Sequence, residues 1–126
     1  MERKNVLKEK SFEFAIKIVE MYKFLCESKR EFVLSKQVLR SGTSIGANVR
    51  EANHAQSGKD FIHKLSIAQK ECDETLYWLE LLYTTKYITE DQFNSLSNEA
   101  IELIKIITKS ILTKKTKSIK RLTINH

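Results

Sequence analysis

The chain has 126 residues, no proline and three glycines, and it is 41% hydrophobic and 30% charged, with a formal net charge of +6. That length suits one domain and can bury a core without disulfides or a structural metal. With no run near ~18 consecutive apolar residues and a charged opening, Met1 to Lys10, neither a membrane span nor a signal peptide is expected, and the chain reads as cytoplasmic.

Sheet proteins need turn chemistry at every reversal, and Gly42, Gly46 and Gly58 supply little of it. Long helices with few reversals fit better. The charge is unevenly placed. Residues 1–50 hold 11 Lys or Arg against 6 Asp or Glu, and residues 51–112 hold 6 against 10. Residues 113–126 carry Lys114, Lys115, Lys117, Lys120 and Arg121 with no acid. A polyanionic partner and self-association between unlike surfaces would both use such asymmetry; a solvated tail is the plainer reading.

The first helix is expected from about Ser11, as N-cap, to Cys26. At 100° per residue its apolar positions, among them Phe12, Phe14, Ile16, Ile18, Met21 and Leu25, spread over roughly 220°. An ordinary surface helix needs little more than about 100°, so an oligomer is expected, with Phe14, Ile18 and Met21 as interface residues.

The second helix is expected over about Phe32 to Ala52, with Leu34, Val38, Ile45, Val49 and Ala52 as its core stripe. Ser41, Gly42, Thr43, Ser44, Gly46 and Asn48 have poor helix propensity, so packing must hold the segment. A hairpin turn near Lys29 would set Phe12 and Ile16 over Gly42 and Gly46.

The third helix is expected over about Lys59 to Lys86, capped by Ser57 or Asp60. Its core stripe is Phe61, Leu65, Ala68, Cys72, Leu76, Leu79 and Tyr83. A second stripe, Ile67, Glu71, Glu74, Trp78 and Leu81, sets a large aromatic among acids and marks a further contact surface at Ile67, Trp78 and Leu81. The fourth helix opens with the capping-box spacing of Thr89 to Gln92 and is expected to end near Lys114. Residues 1–115 then form the bundle and 116–126 a basic, flexible tail. Short connections make neighbours antiparallel, which gives an all-α, up-down-up-down four-helix bundle. Cys26 and Cys72 fall at core positions as buried, reduced thiols.

The polar residues Gln37, Ser41, Ser44, Asn48 and Glu51 make one line along the second helix. With the next turn near Gln56, Gln37 faces Glu74 and Arg40 faces Glu71. This polar seam is either a satisfied inter-helix network that fixes register or a ligand or nucleic-acid groove.

The run RSGTSIGANVREA, Arg40 to Ala52, preceded by Gln37, resembles the signature of the bacterial four-helix-bundle proteins encoded within intervening sequences of large-subunit ribosomal RNA genes. The run IAQKECDETLYWLELL, Ile67 to Leu82, is also similar to theirs. The resemblance covers about residues 8–114 and leaves out the basic tail. It implies a non-enzymatic bundle that forms closed homo-oligomers, pentamers in relatives. Accessory proteins of diversity-generating retroelements are similar too, and the likeness implies nucleic-acid and reverse-transcriptase binding through basic surfaces.

Glu51 and His54, and likewise Asp60 and His63, have the Glu-x-x-His type of spacing, but both histidines flank a single inter-helix loop and the fourth helix has none. A di-iron site needs two such pairs and two further glutamates at one level, so no metal and no cofactor are expected. No serine has a positioned histidine and acid. Lys36, Arg40 and Arg50 lie within about 80° on the second helix with the small Thr43 and Ala47 between them, an arrangement that lets a phosphate backbone approach. Two functional readings follow. One is an oligomeric accessory protein that binds RNA or DNA through Lys36, Arg40, Arg50 and the tail cations Lys114, Lys115, Lys117, Lys120 and Arg121. The other is a protein-interaction scaffold that uses the wide apolar arc and the Trp78 stripe. Neither involves a membrane.

Overall fold

The computed structural model describes residues 5–124 and folds them into four helices: α1 (Val6–Glu27), α2 (Leu34–Asn53), α3 (Gly58–Thr84) and α4 (Glu90–Ile124). Each helix start has a physical cause. Asn5 caps α1, its side-chain oxygen accepting from the Lys8 N–H at 3.0 Å. Ser11 is therefore not the cap expected of it. It lies buried inside α1, its hydroxyl donating to the Lys8 carbonyl at 3.1 Å.

The start of α2 is held by a residue that pattern reading passed over. The Glu31 carboxylate accepts from the backbone N–H groups of Val33 (3.3 Å), Leu34 (3.1 Å) and Ser35 (2.7 Å) and is only 9% exposed. It thereby satisfies donors that a helix start leaves unpaired, at the positive end of the dipole. Ser57 caps α3 by accepting from the Asp60 N–H at 3.0 Å. Thr89 and Gln92 form a reciprocal capping box at α4: the Thr89 N–H donates to Gln92 Oε1 at 2.8 Å, and the Gln92 N–H to Thr89 Oγ1 at 3.1 Å.

The helices pack in a four-cornered bundle in which α1 touches α2 and α4, and α3 touches α2 and α4. The backbones of the diagonal pairs α1/α3 and α2/α4 stay apart among the described residues. Phe14, Ile18 and Leu25 of α1 join Val38 and Ile45 of α2, Leu65, Leu79 and Leu82 of α3, and Leu103 and Ile107 of α4 in one buried cluster.

The α1–α2 register differs from the expected one. Ile18, not Phe12 or Ile16, sits over Gly42, and the Ser11 backbone lies beside Gly46. Phe12 and Ile16 stay 51% and 46% exposed. A slip of two residues turns a helix by about 200°, so a small error in the hairpin pairing exchanges the inner face for the outer one.

The fourth helix does not stop near Lys114 but runs to Ile124. Neither proline nor glycine follows Gly58 to break it. Thr116, Ser118 and Thr123 each return a hydroxyl to the carbonyl four residues earlier, at 2.9, 3.1 and 3.0 Å. The last residues of the expected tail, 125 and 126, lie outside the described residues.

Candidate nucleic-acid interface

Because α4 continues, the cations of the expected tail are borne on a helix. Lys114, Lys115, Lys117, Lys120 and Arg121 all fall within it, and no acid follows Glu102 anywhere in the chain. Lys105 and Lys109, exposed and one turn apart, carry the positive character up into the bundle. Sequence reading assigned neither, because it located the charge in a segment detached from α4. Lys114 is less free than the others. Its stem lies 3.0 Å from where a Gly58 β-carbon would be, and its ammonium stands 5.8 Å from the centre of the Phe61 ring.

The three cations of α2 have unequal surroundings. Lys36 is exposed and makes no ion pair among the described residues. Arg40 spans the α2–α3 groove to two carboxylates, Glu71 at 3.4 Å and Glu74 in a closer contact. Much of its charge is therefore already matched. Arg50 lies over the Phe12 ring, 5.1 Å from its centre, and makes no ion pair among the described residues. Since α2 and α4 stand at opposite corners, the α2 cations and the α4 cations do not merge into one patch on a single chain.

The polar line of α2 is mostly turned back on its own helix. Ser44 donates to the Arg40 carbonyl at 2.6 Å, and Asn48 to the Ser44 carbonyl at 2.9 Å. The bonds that cross to α3 are Arg40 with Glu71 and Glu74, and the buried Thr75 hydroxyl with Ser41 at 3.0 Å. Glu51 stands 3.8 Å from Lys64. Gln37 is half-buried on the same face, but Glu74 takes Arg40 and, at 3.4 Å, the Trp78 indole N–H. Thr75 was missed because a threonine inside a core stripe reads as one more small residue.

Three of the expected interface residues do not lie on the surface. Phe14, Ile18 and Met21 are buried within the chain. Packing against both α2 and α4 uses Phe14, Ile18, Met21 and Leu25 of the apolar arc internally, while Phe12 and Ile16 stay exposed. Ile67, Trp78 and Leu81 are half-buried, and Trp78 meets Tyr77 edge-on at 5.0 Å.

The acids, histidines and cysteines of the described residues are dispersed with respect to a metal site. No group of three or more His, Cys, Asp or Glu side chains converges there, and His54 and His63 are both exposed. Cys72 is buried; desolvation first, and then the charges of Asp73 and Glu71, push its thiol up to about 12. A thiol so placed is not a nucleophile at neutral pH. Cys26 is only half-buried, 3.8 Å from the Ser35 hydroxyl, and both cysteines are free. No helix of the described residues is long and apolar enough to cross a membrane.

These features define an all-helical, four-helix protein with a long basic helix at its C-terminal side. The family model of the 23S rRNA-intervening sequence protein matches residues 3–109, and the chain belongs to that family. The fold is similar to a crystal structure of a protein of unknown function from the S23 ribosomal protein family of Bacteroides thetaiotaomicron VPI-5482. That protein is 59% identical, with a TM-score of 0.84 over 85% of this chain and 96% of its own. No curated protein matches the chain. The family match ends before Lys114, so the most basic turns of α4 are additional to it.

Proposed function

We propose that the protein is a non-enzymatic, cytoplasmic accessory protein, an antiparallel up-down-up-down bundle that self-associates into a closed ring and binds RNA or DNA phosphate through α4. The observation that carries the nucleic-acid reading is the acid-free stretch of α4 after Glu102, which bears Lys105, Lys109, Lys114, Lys115, Lys117, Lys120 and Arg121. A helix keeps these cations apart and solvated, and the phosphate backbone is the polyanion such a surface fits. Residues 1–115 supply the bundle and the remainder is a basic extension. The antiparallel order is supported by pairs that run in opposite directions: Lys10 with Glu102 and Lys17 with Glu99, Arg40 with Glu71 and Glu51 with Lys64. A pentamer is the ring size that family resemblance favours.

The test is an electrophoretic shift with a structured RNA and a duplex DNA across a salt series. Lys115, Lys117, Lys120 and Arg121 are changed together to glutamine, sparing Lys114 because its stem covers Phe61. Each duplex phosphate contact contributes about 0.9 to the slope of log affinity against log salt, so the loss of four contacts flattens the slope by up to about 3.6. An unchanged slope would favour the scaffold reading, which half-buried Trp78 and exposed Tyr77 support.

A further inference from the structure

At the end of the bundle where α4 outruns its neighbours, a cavity of about 390 Å³ lies between α3 and α4. Phe61 of α3 and Lys109, Ser110, Thr113, Lys114 and Lys117 of α4 line it. Helix lengths open this space. Lys17 pairs with Glu99 and Lys10 with Glu102, so the start of α1 at Val6 comes level with about residue 106 of α4. The start of α3 reaches further. The Lys114 stem and the Ser118 hydroxyl lie 3.0 and 3.8 Å from where a Gly58 β-carbon would be. From Lys109 onwards α4 is therefore flanked by α3 alone among the described residues.

Lys109, Thr113 and Lys117 follow one another at steps of four, one row along the cavity side of α4. Both lysines are exposed and make no ion pair among the described residues. The Thr113 hydroxyl makes no hydrogen bond there either, whereas Ser110, Thr116 and Ser118 each return theirs to the carbonyl four residues earlier. Lys114 closes the other side, its ammonium 5.8 Å from the centre of the Phe61 ring. No acid lines the cavity, and Asp60, next to Phe61 in sequence, lies about 100° away around α3.

We infer that this cavity takes a terminal phosphate, the phosphomonoester at the end of a nucleic-acid strand. The inference rests on the nucleic-acid reading above and names the part of the strand that one site on α4 holds. Charge and donor number select the ligand. A phosphomonoester carries about −1.5 to −2 at neutral pH on three acceptor oxygens, which three ammonium groups and a free hydroxyl match. A phosphodiester inside a strand carries a single charge and brings a sugar on each side. Size agrees: small-molecule sites span about 300–1,000 Å³, so a cavity at the lower end admits one nucleotide and no duplex. Lys115, Lys120 and Arg121 stand outside it and remain for internal phosphates.

The experiment titrates the full-length protein with an RNA hairpin that has a short single-stranded end, carrying a 5′-phosphate, a 3′-phosphate or hydroxyl groups only. Fluorescence anisotropy at one salt concentration gives the three affinities. One phosphorylated end is expected to bind about tenfold more tightly than the hydroxyl end, as three solvent-exposed ion pairs together would. Changing Lys109→Gln with Lys117→Gln should remove most of that preference, and Thr113→Val part of it. Changing Lys115→Gln with Arg121→Gln should weaken all three strands alike and keep the preference. These positions are exposed, circular dichroism checks each helix content, and the ratio is read within each protein, so a general loss of affinity does not imitate the result. Equal affinity for all three ends, or a preference that survives the loss of Lys109 and Lys117, would overturn this inference and leave the nucleic-acid reading standing. Binding of none of the strands would overturn that reading, and this one with it. A nucleoside 5′-monophosphate in excess should abolish the preference while the strand stays bound; a monophosphate that binds more tightly than the phosphorylated strand would overturn the strand end as the ligand.

Discussion

Ile18 rests directly on Gly42, so that a β-carbon built on this glycine would lie 2.7 Å from Ile18 Cγ1 and 2.8 Å from Cγ2. Ile18 is fully buried, so it has little room to withdraw. Alanine improves helix propensity over glycine by about 1 kcal/mol, while overpacking a core costs about 1–3 kcal/mol. The second effect is expected to win, and Gly42→Ala should lower stability. Gly46 is the internal control. The nearest atom to its β-carbon would be the Ser11 carbonyl oxygen at 3.4 Å, an ordinary contact. Gly46→Ala should therefore be neutral or gain up to about 1 kcal/mol. Urea midpoints of the two variants check the contrast; a Gly42→Ala protein more stable than its parent would contradict it.

Glu31 is the counterpart in the first connection. Its carboxylate serves three N–H groups of α2, and Val33, the residue before the helix, provides no side-chain cap of its own. Losing a cap costs about 0.5–2 kcal/mol, and leaving a buried donor unpaired costs about 1–3 kcal/mol. Glu31→Ala should lie in the upper part of that range, and Glu31→Gln, which keeps one acceptor oxygen, should lose less. Chemical denaturation measures both, and equal stability of all three proteins would remove the capping role.

The four helices and the core were legible because Val38, Ile45 and Val49, or Leu65, Ala68, Cys72 and Leu79, repeat at helical spacing, in α2 despite Gly42 and Gly46 between them. Thr89 and Gln92 were legible because a capping box is a local signal. What lay outside reach depended on register. Whether Ile16 or Ile18 faces Gly42 turns on two residues, and the connecting turn contains Arg30 at a φ of 54°, which no residue pattern announced. The end of α4 was misplaced for another reason. A run of lysines without apolar repeats looks detached, yet with no Pro or Gly after it the helix has nothing to stop it. Phe14 and Ile18 were mistaken for interface residues because a wide apolar arc does not reveal whether its neighbours belong to the same chain.

Cys72 gives a pH prediction whose sign follows from linkage. The thiol pKa rises from 9.0 to about 12 in the folded chain, chiefly through desolvation. Below about pH 9 the thiol is protonated in both states and contributes no pH dependence. Above it the unfolded chain ionises while the folded one does not, so the folded state binds more protons and stability falls as pH rises towards 12. The slope attributable to this group is at most about 1.4 kcal/mol per pH unit. Stability measured from pH 8 to 11 should decline less steeply in Cys72→Ala than in the parent, even though the variant starts lower because of its cavity. Parallel curves would show that Cys72 does not titrate as its burial requires.

The two arginines of α2 should behave differently towards nucleic acid. Arg40 is bound to Glu71 and Glu74, so those three side chains together present one net negative charge to a phosphate. Arg50 has no acid partner among the described residues; its guanidinium lies over Phe12, whose ring takes none of its N–H donors away from a phosphate. Replacing Arg50 with alanine should weaken RNA binding modestly and without regard to sequence, and should flatten the salt slope by roughly one duplex contact, about 0.9. Replacing Arg40 should leave the slope unchanged or weaken binding slightly, because it uncovers two carboxylates rather than removing a free cation. Its effect on folding should also be small: the guanidinium is half exposed, and such pairs contribute about 0–1 kcal/mol. Competition titrations at two salt concentrations separate the cases. Equal losses from both substitutions would mean that the local pairing of Arg40 does not decide which cations of α2 are available, and equal absence of effect would assign binding to α4 alone.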